Sequence, residues 1–134
     1  MNLDDFSQLG RDRFPGLLGI QVDSIDHGRV QMHLPLRSEL LAPNGYLHAA
    51  TVVGLADSAC GYGCMASLPA GATGFTTIEL KTNFLGTALE GLLLCTSALV
   101  HGGRTTQVWD ATVEDDADKV LALFRCTQLI LYPR

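Results

Sequence analysis

Residues 48–66 read His-Ala-Ala-Thr-Val-Val-Gly-Leu-Ala-Asp-Ser-Ala-Cys-Gly-Tyr-Gly-Cys-Met-Ala. Wound as a helix, Ala49, Ala50, Val52, Val53, Leu55, Ala56, Ala59, Tyr62 and Met65 leave no polar side. A helix without a polar face belongs inside a layer of other structure, not on a surface. Leu68-Pro69-Ala70-Gly71 ends it, and four runs rich in Thr, Val, Ile and Leu follow: Gly74–Phe84, Gly91–His101, Arg104–Glu114 and Lys119–Tyr132. Turn residues separate them, as expected of successive strands. Upstream, Leu17–Asp26 and Arg29–Leu36 alternate apolar and polar residues around Asp26-His27-Gly28, a hairpin signature. Pro43 and Asn44-Gly45 break the chain between that hairpin and the helix. The opening stretch, Leu3 to Phe14, reads as a short surface helix stopped by Pro15-Gly16. The order is thus helix, two strands, buried helix, four strands. A curved antiparallel sheet wrapped around the central apolar helix buries everything that needs burying, an α+β arrangement. Residues 1–134 are expected to form one domain, with 1–16 as its N-terminal helix and turn.

Composition narrows the partners. Apolar residues make up 47% and charged residues 17% of 134. That is little charge for the surface of a small monomer, and it suggests that part of the surface is hidden in an oligomer. A formal charge of −5 opposes nucleic acid as a partner, because phosphate binding needs a basic face. No apolar run is long enough to span a bilayer, since Asp57 and glycines interrupt the longest. Met1 is followed by Asn2-Leu3-Asp4-Asp5, unlike a secretory leader, so the expected location is the cytoplasm. Cys60, Cys64, Cys95 and Cys126 sit within apolar segments and read as small buried hydrophobes. Cys60 and Cys64 are one helical turn apart, but no second Cys/His pair accompanies them, so no metal or other cofactor is expected.

Asp57 is the only formally charged residue between Glu39 and Glu79. A carboxylate in the middle of an apolar helix is neutralised, well hydrogen-bonded, or kept for function. The second feature is the helix start, Gly45-Tyr46-Leu47-His48-Ala49-Ala50, whose free N–H groups lie at the positive end of the helix dipole and can hold an oxyanion. His48 also reads as a cap or core histidine. Asp57 lies eight residues beyond Ala49, roughly 12 Å along the axis at ~1.5 Å per residue. A reacting group must come within ~3 Å of its target, so one helix cannot supply both halves of one site. Two antiparallel copies can, each placing its Asp57 beside the other's helix start. A working site therefore implies a dimer.

Gly45-x-x-His48-Ala49-Ala50 followed by Leu55-Ala56-Asp57 resembles the signature of hotdog-fold acyl-CoA thioesterases of the PaaI-like branch, related to 4-hydroxybenzoyl-CoA thioesterases. His101-Gly-Gly-Arg-Thr-Thr-Gln-Val-Trp-Asp110 and Ala122-Leu-Phe-Arg125 are similar to that branch too. The resemblance implies hydrolysis of an acyl-CoA, of aryl or phenylacetyl type, with Asp57 as nucleophile or general base. It implies that the Ala49 N–H polarises the thioester carbonyl, that His48 shapes that site, and that Thr77, with Thr76 close behind, orients water. Gly102, Gly103, Arg104 and Thr105 would lie against the CoA nucleotide, and the assembly would be a homotetramer built as a dimer of dimers.

Two departures stand out. The family has Gly-Gly where this chain has Ala49-Ala50, and Asn or Gln where it has Ala42. Asn44 is the candidate to take over the latter role; it also reads as a turn residue. Tyr46, Tyr62, Phe75 and Phe84 are candidates for an aromatic acyl pocket or for packing. The competing activities on the same fold are acyl-thioester dehydration or hydration, and non-catalytic acyl-CoA binding. The latter commonly accompanies a basic helix-turn-helix, which this sequence does not contain.

Overall fold

The structure, a computed structural model, describes residues 1–134. Two short helices, α1 (Leu3–Leu9) and α2 (Phe14–Leu18), precede a hairpin of β1 (Gln21–Asp26) and β2 (Arg29–Pro35). A single 3₁₀ turn, Ser38–Leu40, leads to the long helix α3 (Ala49–Ala66). Four strands complete the chain: β3 (Gly74–Phe84), β4 (Leu92–Gly102), β5 (Thr106–Glu114) and β6 (Val120–Leu131). All six form one antiparallel sheet in the order β1-β2-β4-β5-β6-β3. No helix is long and apolar enough to cross a membrane.

The expected wrapped helix is present, and its burial has a simple cause. Leu55, Ala56, Ala59, Cys60 and Cys64 are wholly buried against Met32, Leu34, Leu93, Trp109, Val113 and Leu121 from the concave side of the sheet. Register irregularities in β1, β3 and β4, between Val22 and Ser24, Thr77 and Glu79, and Leu99 and His101, bend the strands around the helix. All four cysteines are buried thiols. Burial pushes Cys95 up to about 12, and burial together with neighbouring Cys126 does the same for Cys64.

The N-terminal segment corrects the sequence reading. Instead of one helix ended by Pro15-Gly16, the chain leaves α1 at Gly10 and starts α2 at Phe14, with Pro15 in its first turn. There the missing proline N–H has no helical partner to lose, so Pro15 opens a helix where the sequence suggested a stop. Leu17 and Leu18 consequently belong to α2, and β1 begins only after Gly19, whose φ of +92° turns the chain.

A buried polar chain fastens the far end of α3. Trp109 Nε1 donates to Gln107 Oε1 (2.8 Å), Gln107 Nε2 donates to the Ser67 carbonyl (2.8 Å), and the Gly28 N–H donates to Ser67 Oγ (2.9 Å). This clamps the helix end between β5 and the β1–β2 turn, and it fixes the Trp109 ring beneath Gly63. A Cβ at Gly63 would lie 2.6 Å from Cη2 and Cζ3 of that ring. Gly63→Ala therefore sets a helix-propensity gain of about 1 kcal/mol against overpacking of about 1–3 kcal/mol, with a ring unable to retreat. We expect urea denaturation to show net destabilisation, and an unchanged or raised midpoint would contradict this account.

Candidate functional site

The approach to α3 is built to present its first turn. Gly45, at φ +89°, closes a tight turn in which the Ala42 N–H donates to the Tyr46 carbonyl (2.7 Å). Asn44 spends its Oδ1 on the Tyr46 N–H (3.2 Å), so it acts here as a turn residue. The Leu47 N–H donates to Thr87 Oγ1 (2.9 Å) and the Thr51 hydroxyl to the Leu40 carbonyl (2.8 Å), which pin the chain on both sides of His48. Nothing in the sequence marked Thr87 for this role, since its partner lies forty residues upstream.

His48 is the N-cap. Its Nδ1 accepts the Ala50 N–H (2.9 Å), and its carbonyl accepts the Thr51 N–H (3.0 Å). An accepting Nδ1 places the proton of the neutral ring on Nε2. With Ala50 and Thr51 satisfied, the Ala49 N–H is left as the one donor of the first turn without an acceptor. It sits beside a cavity of about 390 Å³ lined by Tyr46, Leu47, Ala49, Val52, Phe84, Gly86 and Thr87.

Asp57 lies on the α3 stripe that follows Ala49 and Val53 at four-residue steps and continues to Gly61. This stripe faces the edge strand β3: a Cβ at Gly61 would meet Phe75 Cζ at 3.2 Å, and Ala49 and Val52 share their cavity with Phe84. Helix and strand run in opposite directions. Asp57 is half-buried, its Oδ1 is fully buried without a hydrogen-bond partner, and desolvation raises its pKa above the ordinary 3.8. The adjacent Ser58 hydroxyl offers no help, being committed to the Gly54 carbonyl (2.6 Å).

The remaining expected residues divide between the two ends of α3. Thr77 lies on β3 towards the Asp57 end and donates its hydroxyl to Gln128 Oε1 (2.6 Å). Gly102 to Thr105 form the β4–β5 turn at that same end, where the Ile130 N–H donates to the Thr105 carbonyl (2.9 Å). Arg104 is exposed; its guanidinium carbon stands 5.5 Å from the Tyr132 ring centroid, and its carbonyl accepts the Tyr132 hydroxyl. Of the four aromatic candidates, Tyr46 and Phe84 line the cavity at the helix start. Tyr62 packs against Phe6 (centroids 5.6 Å apart) and Phe75 against Gly61. Within one chain, then, the structure does not bring Ala49 and Asp57 together. No group of three or more His, Cys, Asp or Glu side chains converges to hold a metal.

Residues 44–122, which carry both halves of this arrangement, match the thioesterase superfamily. The chain belongs to that family. It is 32% identical over 82% of its length to a 1,4-dihydroxy-2-naphthoyl-CoA hydrolase from Listeria monocytogenes, covering 89% of that protein. It is 29% identical to the acyl-coenzyme A thioesterase PaaI of Escherichia coli, over 81% of this chain and 75% of the relative. Among solved structures, a thioesterase mutant from Pseudomonas aeruginosa superposes with a TM-score of 0.91 at 25% identity, covering 98% of this chain and 94% of that one. The fold is the hotdog fold, and the protein is a thioester hydrolase.

Asp57 has a stability consequence apart from any chemistry. Burial raises its folded pKa, so its contribution is fully favourable below about 3.8 and is lost as pH rises through the raised value. At pH 7 the ionised carboxylate costs stability, and Asp57→Asn removes that charge. The variant is expected to melt at a higher temperature than wild type at pH 7, with the gap closing towards pH 3.8. A lower Tm at neutral pH would show that Asp57 is stabilised by a partner.

Proposed function

We propose that the protein hydrolyses an acyl-CoA thioester to the free acid and CoA in a site shared between two copies of the chain. One copy supplies Asp57, as nucleophile or general base, and the other supplies the Ala49 N–H as oxyanion donor. The observation that carries this reading is the pair of orphaned groups on α3: one free N–H at the helix start, and one buried carboxylate oxygen without a partner. They lie roughly 12 Å apart at ~1.5 Å per residue, too far to serve one carbonyl from one chain.

The edge of the sheet supports a second copy. β3 is bonded only to β6, and Ile78, Leu80 and Phe84 on it are 56%, 43% and 49% exposed. An edge strand with exposed apolar side chains is a ready surface for a copy of itself. Pairing there would bring the α3 stripes of the two copies side by side in opposite directions. A tetramer built from two such dimers, and CoA lying against the Gly102–Thr105 turn, follow from family resemblance.

For the acyl group, Tyr46 and Phe84 at the cavity offer aromatic faces against which an aryl group can stack. The Listeria relative acts, by its name, on an aromatic acyl-CoA. In this chain the Ala49 methyl stands at the cavity wall. It narrows the approach that glycine would leave open, while the Ala50 N–H is already spent on the cap.

Substrate class is read by the thiol released from a panel of acyl-CoAs. The protein's own cysteines add no background while folded, because all four are buried away from the reagent. Aryl-CoA is expected to exceed straight-chain acyl-CoA in kcat/KM by at least about 10-fold; the reverse order would remove the aromatic assignment.

The composite site is tested by complementation. Proline is well suited to the first helical position and deletes the one free N–H, and His48 before it is already extended (φ −67°, ψ 132°). Asp57→Asn and Ala49→Pro are each expected to lower kcat by about 10²–10⁴-fold. Mixed after dissociation, they form hybrids in which one of the two sites regains both groups, and activity should return to roughly a quarter of wild type on random pairing. Absence of recovery in verified hybrids would place both groups in one subunit.

A further inference from the structure

Gln128 lies on the inner face of β6 with no solvent exposure. Its register partner on β3 is Thr77, whose hydroxyl donates to Gln128 Oε1 at 2.6 Å. Gln128 Nε2 is also buried, and it has no partner. An amide buried in this way, with one end satisfied and the other orphaned, is costly and calls for an explanation. The spacing of residues on α3 and β3 brings it towards Asp57. From Gly61, which packs on Phe75, one helical turn back is ~5.4 Å and reaches Asp57. From Phe75, two residues along β3 on the same face is about 6.8 Å and reaches Thr77. Because α3 and β3 run in opposite directions, both steps go the same way, and Asp57 comes level with the Thr77–Gln128 pair.

We propose that Gln128 is a positioning residue for thioester hydrolysis, holding Thr77 as a hydrogen-bond acceptor for the attacking water. This rests on the reading of Asp57 given above and takes its general-base form. Threonine has one hydroxyl hydrogen and two lone pairs. With the hydrogen committed to Gln128 Oε1, Thr77 can only accept. A water in the layer between α3 and β3 gives one hydrogen to Thr77 Oγ1 and the other to the Asp57 carboxylate. Both hydrogens of the water are then directed, and an oxygen lone pair is left to attack. The water oxygen bonds to the thioester carbon as its proton passes to Asp57. The C–S bond then breaks, and Asp57 returns that proton to the departing thiolate, giving acid and thiol. Gln128 touches neither acyl group nor CoA; it fixes which way the water points.

Steady-state kinetics of the intact enzyme with its best acyl-CoA test this through Thr77→Val, Gln128→Met and the double variant. Each single change is expected to lower kcat on the order of 10- to 100-fold, and KM should stay within about 3-fold. The double variant should be no slower than the slower single, because Gln128 acts through Thr77. Gln128→Glu keeps an accepting oxygen and should recover most of the loss. Losses that multiply, an unchanged kcat in Gln128→Met, or a change carried by KM would each overturn the proposal. If Gln128→Met fails to fold, Gln128→Glu decides: near-normal kcat beside a slow Thr77→Val supports the role, and an equal loss in both overturns it. Asp57→Asn separates the two levels. If it is inactive while Gln128→Met is unimpaired, only the positioning role fails; if it is active, the reading of Asp57 fails first.

Discussion

Eighteen helical residues with a single charge among them must leave water on nearly every side, and one antiparallel sheet can enclose them only by curling. Much else in the molecule follows from that enclosure. The curl is achieved with bulges in β1, β3 and β4, and the far end of the helix is tied by Trp109, Gln107 and Ser67. A sheet wrapped around one helix still has two edges, and at β3 the enclosure is incomplete. The stripe of α3 that carries Ala49, Val53, Asp57 and Gly61 therefore runs along a margin. The only charge on the helix sits where the core gives way to an edge strand.

That margin concentrates unsatisfied chemistry. Three buried side-chain atoms lack partners: Asp57 Oδ1, Thr82 Oγ1 and Gln128 Nε2. Thr82 is on β3, Gln128 is paired to β3 through Thr77, and Asp57 is on the stripe that faces β3. A well-packed interior rarely leaves such groups alone, and it would not be expected to cluster them by accident. Their chemistry is complementary: a carboxylate accepts, an amide N–H donates, and a hydroxyl does either. A layer lined this way stabilises a small polar molecule more than it stabilises the empty fold. The cost is borne by stability, in the sense that the raised pKa of Asp57 works against folding at neutral pH.

How far the sequence alone reveals this depends on whether a signal is local. The central helix is legible because its apolar character is uninterrupted, and Gly74–Phe84 is legible to the residue because glycine and loop residues bracket it. The start of β1 is not, since Pro15 carries two opposite meanings, helix stop and first-turn residue, and the difference lies in how Gly10 and Gly16 fold back. Asp57 announces itself by isolation among apolar neighbours. Gln128 does not: two-residue alternation puts it on the face of Cys126 and Ile130, but only the pairing of β6 with β3 shows that it meets Thr77. Thr87 is hidden for the same reason, its partner Leu47 being distant in sequence. His48 shows both of its readings at once. It is a cap, and by capping Ala50 it decides which N–H remains free.

The replacement of Gly-Gly by Ala49-Ala50 can be weighed on the same physical grounds. Both positions are helical, so neither needs the positive φ that only glycine takes easily. Alanine also restricts the unfolded chain, stabilising the first turn by roughly 0.5–1 kcal/mol per position relative to glycine. An oxyanion donor is useful in proportion to how firmly it is aimed before the charge develops. A stiffer first turn, with Ala50 held by His48 and Leu47 held by Thr87, aims the Ala49 N–H more firmly than a glycine pair would. The accompanying methyl takes space from the acyl cavity, whose remaining walls are Tyr46, Leu47, Val52 and Phe84. The same substitution thus preorganises the proposed donor and narrows what can reach it, so any preference among acyl groups would be set at the helix start, some two turns from the carboxylate.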